Sequence, residues 1–166
     1  MHIDEIKAMA HAAHADKEVR EELFRAVGED DRDRAVHAAW ALTHLPSSDN
    51  HEIAAHREAL VGVAIGTTDI SLRRITLTLL ERLDWLADDK GEMYYVSRLD
   101  FCQSHMMLSD EPYGVRSLCM KLSYKISMPY PELREELRQS LLILEPAELG
   151  KGVRHTRDKL LKLLMP

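Results

Sequence analysis

The chain is 166 residues long, 45 % of them hydrophobic, with a formal net charge of -6 at pH 7. That length can bury a continuous core without staples, and two cysteines, Cys102 and Cys119, give a secreted disulfide framework no support. The acidic balance speaks against a dedicated nucleic-acid binder, whose footprint is a basic surface, although residues 1–110 carry 12 basic and 21 acidic side chains and residues 111–166 carry 10 and 7. The start, MHIDEIKAMAHAAHADKEV, has no basic segment leading into an apolar stretch, and the longest weakly polar run, ALVGVAIG, is far short of a membrane span. A soluble cytoplasmic protein with no membrane association is the expectation.

No segment alternates β-branched residues, and Ala, Leu, Glu, Arg and Lys dominate, so every predicted element is a helix. A capping helix over 3–14 is followed by 17–27. VGED around Gly28 then breaks the chain, and Asp30 offers a cap to a helix over 31–45. LPSSDN around Pro46 precedes 51–65, which Gly66 closes as a C-cap. Asp69 caps 70–83, because its carboxylate can accept from the first unpaired backbone N–H groups. ADDKGE around Gly91 separates this from 93–108. SDEP stops that helix and sets Pro112 at the first position of 112–127, where no N–H bond is lost. MPYP does the same with Pro131 for 131–144, and EPAELGKG leads into 153–164.

Four arginines, Arg34, Arg73, Arg116 and Arg154, each follow a turn near a helix start and recur at roughly 40-residue intervals. Apolar positions align around them: Leu72, Val115 and Val153 one before, Val36, Ile75 and Leu118 two later, and Trp40, Leu79, Leu122 and Leu160 six later. Leu83, Ile126 and Leu164 follow ten later, with His44 breaking that column, and the offsets form one helical stripe. Helix pairs repeating at this period cannot bury their apolar faces alone and must stack. The opening of DDRDRAVHAAWAL and of DISLRRITLTLL, and the apolar-Arg pair in EPYGVRSLCMKL and GKGVRHTRDKLLKLL, resemble the HEAT repeat. The resemblance implies an all-α fold, a short right-handed α-α superhelix of about four stacked helix pairs with the second helices on its concave side. The whole of 1–166 is then one repeat domain, with repeats 17–45, 51–83, 93–127 and 131–164 and the capping helix 3–14. Arg34, Arg73, Arg116 and Arg154 take repeat-structural roles in that reading.

Candidate chemistry is thin. His11 and His14 lie three apart and could face one ion, but no HExxH and no third ligand accompany them. Cys102 and His105 are also three apart, yet nucleophilic catalysis needs a group to orient the base, and Phe101, Met106, Met107 and Leu108 surround the pair with core-like residues. Asp84, Asp88, Asp89 and Glu92 lack the ligand order of a calcium loop. Lys151, Arg154, Arg157, Lys159 and Lys162 form a dispersed basic helix suited to a solvated terminal cap. His37 and His44 are seven apart, on one face of the helix carrying Trp40. With Tyr94 and Tyr95 they are the candidate partner-binding residues.

No catalytic residue, metal ligand or cofactor is assigned. The expected function is a non-catalytic helical-repeat scaffold for a protein or peptide partner. Two alternatives are a DNA glycosylase, as certain HEAT-like proteins are, and a metal-dependent enzyme built on a histidine cluster. Nucleic acid is not the expected partner.

Overall fold

The computed structural model describes residues 1–85 and 92–165, the side chains of residues 92–97 excepted. Among the described residues every element is helical, and the chain divides into two compact units, Met1–Leu83 and Asp84–Pro166.

In the first unit, α1 (Ile3–Ala15) and α2 (Lys17–Val27) meet at Asp16, whose carboxylate accepts from the backbone N–H groups of Glu18 at 2.8 Å and Val19 at 3.5 Å. Helix α3 (Arg32–Thr43) starts one residue later than the sequence predicts. Its cap is Asp31 and not Asp30, because Asp31 Oδ1 reaches the N–H of Arg34 at 3.2 Å. Alanine dominates the buried side of α3, at Ala35, Ala38, Ala39 and Ala41, and such small side chains allow close approach by neighbours. Helices α1, α2 and α6 all pack on it.

The predicted helix over 51–65 is two helices, α4 (Asn50–Ala54) and α5 (Arg57–Gly66), after a 3-10 turn at Ser47–Asp49. The break falls at Ala55 and His56. The His56 ring stacks on Phe24 with centroids 3.9 Å apart and its Nε2 lies 3.0 Å from Glu21 Oε2, so contacts with α2 hold this residue out of a continuous helix. Gly66 is the last residue of α5, with Thr67 extended behind it. Helix α6 (Ile70–Glu81) is capped as predicted, Asp69 Oδ1 accepting from Leu72 N at 2.8 Å.

In the second unit, α7 (Glu92–Met106) packs on α8 (Tyr113–Ser127), and α8 packs on α9 (Pro131–Ile143) and α10 (Lys151–Leu164), which also pair with each other. Pro131 takes the first position of α9, whereas Pro112 stands one place earlier, as the cap residue of α8. The predicted stripe is core at Leu79, Leu122 and Leu160. In α3 it is shifted: Trp40 is half-buried, and Ala35, Ala38 and Leu42 form the buried column.

Asp69 supports a prediction. The backbone N–H of Leu72 holds its carboxyl below the usual aspartate range, and Arg32, whose Nε donates to Asp69 Oδ2, adds to the effect. A depressed folded value means that this contribution is complete above the unfolded value, 3.8, and is lost as pH falls through the folded one. Asp69→Ala removes both interactions and should cost about 1–2 kcal/mol near neutral pH. Urea melts should show the gap between wild type and variant closing in acid.

Candidate functional site

Arginine side chains fix the ends of the helices and thereby which faces remain free. The last carbonyls of an α-helix have no intrahelical donor, and here guanidinium groups from the following helix supply one. Arg20 Nη1 donates to Ala13 O at 3.1 Å, Arg73 Nε to Ala64 O at 2.9 Å, Arg116 Nε to Met106 O at 3.0 Å and Arg157 Nε to Leu141 O at 2.8 Å. Arg73 also reaches Thr67 O, and Arg134 Nη1 donates to Met128 O behind α8. Arg82 reaches back to the end of α3, donating to Thr43 O at 3.3 Å and Pro46 O at 3.1 Å and gripping Asn50 Oδ1 at 2.6 Å.

The four arginines of the sequence repeat therefore sit in different surroundings. Arg73 and Arg116 close the helix before them. Arg34 instead pairs with carboxylates, Glu22 Oε1 at 2.7 Å and Glu29 Oε2 at 3.3 Å. Arg154 is exposed, and the carbonyl of α9 is taken by Arg157, one turn further on. Arg20, Arg82, Arg134 and Arg157 were not distinguished in the sequence; only Arg157 stood near an expected position.

Burial sets a common register for the second helices. The buried columns are Leu72, Thr76, Leu79 and Leu83 along α6 and just beyond its end, and Val115, Cys119, Leu122 and Ile126 in α8; Val153, Arg157 and Leu160 follow in α10. In α3 the matching residues are Ala35, Ala38 and Leu42, so Arg32 stands level with Arg73 and Arg116, and Arg34 lies two positions on. Away from these columns each helix leaves one polar stripe in solvent or half-buried. It reads Asp33, His37, Trp40 and His44 on α3 and its cap, and Arg74, Thr78 and Glu81 on α6. On α8 it reads Ser117, Lys121 and Tyr124, and on α10 His155, Lys159 and Lys162.

The α3 stripe thus brings together His37, Trp40 and His44 at spacings of three and four. His37 and Trp40 are half-buried, while His44, the cap residue, is exposed. His37 also lines a groove of about 470 Å³ whose apolar walls come from Met9, Leu23, Ala26 and Ala38, with Asp33 and Arg34 at its rim. Tyr94 and Tyr95, the other two candidates, fall in α7, but their side chains lie outside what is described, as does most of the acidic loop after Trp85.

Two further histidines, His14 and His105, are engaged locally. His14 Nδ1 lies 2.6 Å from Asp49 Oδ2, so it is turned to a carboxylate across the unit and not toward His11. His105 stacks on Phe101 with centroids 3.9 Å apart, and its Nδ1 lies 2.6 Å from Glu111 Oε2. Cys102, three residues before His105, and Cys119 are both buried, and neither is in a disulfide. Among the described residues no three His, Cys, Asp or Glu side chains gather where they could hold a metal ion, and no helix is long and apolar enough to cross a membrane.

A family model for the HEAT repeat domain matches residues 1–164. The chain belongs to the HEAT repeat domain family. The all-helical fold implied by the sequence resemblance holds. No curated protein and no solved structure matches the chain.

Proposed function

We propose that this HEAT repeat protein is a non-catalytic cytoplasmic scaffold that seats a protein or peptide partner on the second-helix stripe of α3. One observation carries the reading. Trp40, a residue type concentrated at interface hot spots, is left half-buried between His37 and His44, and His37 continues into an apolar groove. The groove is of a size that accepts a few side chains, and its rim, Asp33, Arg34 and His37, offers hydrogen-bonding groups of both kinds. The architecture of a repeat stack supports binding over an extended surface. Two buried cysteines, neither in a disulfide, suit a reducing compartment.

Duplex DNA is a poor match to this stripe. The unit Met1–Leu83 carries 10 basic and 15 acidic side chains, and phosphate binding gains its affinity from several converging cations. The test is a photoreactive amino acid placed at position 37 and, as a control, at exposed Thr68 in the α5–α6 turn. Irradiation in the native cell should give a discrete protein adduct from position 37 that is absent from position 68. Equal labelling from both positions, or adducts of nucleic acid, would overturn the proposal.

A further inference from the structure

The second helices of the C-terminal unit concentrate positive charge that the chain's overall acidity hides. Helix α8 carries three cations and no acid, and α10 carries five cations and one acid. The neighbouring α9 carries two arginines and three glutamates. Part of the charge on α8 and α10 is committed: Arg116 and Arg157 are buried and donate to the carbonyls of Met106 and Leu141. Arg157 Nη1 also holds Asp158, the single acid, at 2.8 Å. What remains in solvent is Arg154 and a set of lysines.

Their placement is ordered by the register of burial. Val115 and Val153, Cys119 and Arg157, and Leu122 and Leu160 are matched buried pairs on two helices that pack on each other. The same register matches Lys121 with Lys159 and Tyr124 with Lys162 on the free side, with His155 one turn before Lys159. Lys121, Lys159 and Lys162 are exposed and form no ion pair among the described residues. A ladder of unpaired ammonium groups thus runs along the α8 and α10 stripes, with an aromatic ring beside it.

We propose that this α8–α10 stripe is a second docking surface, separate from that of α3, for an acidic protein segment. Charge complementarity identifies the partner. The exposed cations at the stripe positions are the ammoniums of Lys121, Lys159 and Lys162, which meet carboxylates as point charges, while the guanidinium forks of Arg116 and Arg157 are spent on helix carbonyls and the exposed Arg154 stands outside the stripe positions. The stripe is also short, because a helix of this kind spans only about 20 Å. The unit around it carries 12 basic and 13 acidic side chains, Glu132, Glu135 and Glu136 of α9 among the exposed ones, so it offers no wide basic field to a long polyanion. A short acidic peptide can stay within the ladder.

Fluorescence anisotropy of the full chain with a fluorescein-labelled oligo-glutamate tests the proposal against oligo-glutamine and a labelled mixed-sequence duplex. Oligo-glutamate should bind at least about tenfold more tightly than oligo-glutamine and should weaken several-fold between about 0.05 M and about 0.2 M salt. The double variant Lys121→Glu, Lys159→Glu should lose about tenfold or more in affinity, and Lys17→Glu, exposed on α2, should stay within about twofold. If circular dichroism shows the reversed pair to be misfolded, the neutral pair Lys121→Gln, Lys159→Gln should lose about threefold. Equal binding of the two peptides, folded lysine variants that bind like wild type, or a duplex that outcompetes oligo-glutamate would each overturn it.

Discussion

Leu79→Ala and Leu122→Ala should each destabilise the protein by about 2–5 kcal/mol in urea unfolding. Leu79 is 0 % exposed in α6 and Leu122 is 2 % exposed in α8, and each stands in the buried column of its helix. The loss combines the transfer free energy of the deleted carbons with a cavity that neighbouring turns cannot fill, because packed helices relax only partially. The two residues lie in different compact units, so both substitutions are needed to test both columns. A loss well below about 1 kcal/mol for either would place that side chain on the wrong face.

Arg116→Met should cost about 1–3 kcal/mol, whereas Arg154→Ala should change stability by no more than about 0.5 kcal/mol. The two arginines hold the same position in their helices and the same place in the sequence repeat. Arg116 is 3 % exposed and donates to Met106 O at 3.0 Å. Methionine keeps much of its bulk and removes the donors, leaving a buried carbonyl at the end of α7 without that partner. Arg154 faces solvent, since Arg157 performs the equivalent task for α9. Paired denaturant melts separate the residues; equal losses would mean that position in the repeat, and not the carbonyl contact, decides the cost.

The contrast shows what a single sequence exposes. Helix positions were legible because caps and breaks act within a few residues: Asp69 caps α6 and Pro131 opens α9 where their chemistry requires. The break at His56 was not, because its cause is the ring of Phe24 and the carboxylate of Glu21, both more than thirty residues earlier. The repeat was legible as a period but not as a register. In α3 small alanines carry the core, so an alignment that follows large apolar residues puts Trp40 among the leucines and misses its partial exposure. His37, Trp40 and His44 shared a face on spacing alone, while the groove beside His37 needs Met9 and Leu23 from α1 and α2 and leaves no mark within α3. Of the lysine ladder, Lys159 and Lys162 were legible as part of one basic helix, but their match to Lys121 on α8 was not.

The central claim is that the α3 stripe is a partner-binding surface, and the most direct measurement is a titration of the partner recovered by crosslinking at position 37 against wild type and Trp40→Ala. Truncating a central aromatic anchor removes about 2 kcal/mol or more, which is roughly thirtyfold in affinity. The account predicts a loss of that size for Trp40→Ala with its helical circular dichroism retained, and no submicromolar binding of labelled duplex at about 0.15 M salt. An affinity within about twofold of wild type, or tight duplex binding that falls steeply as salt rises, would contradict it.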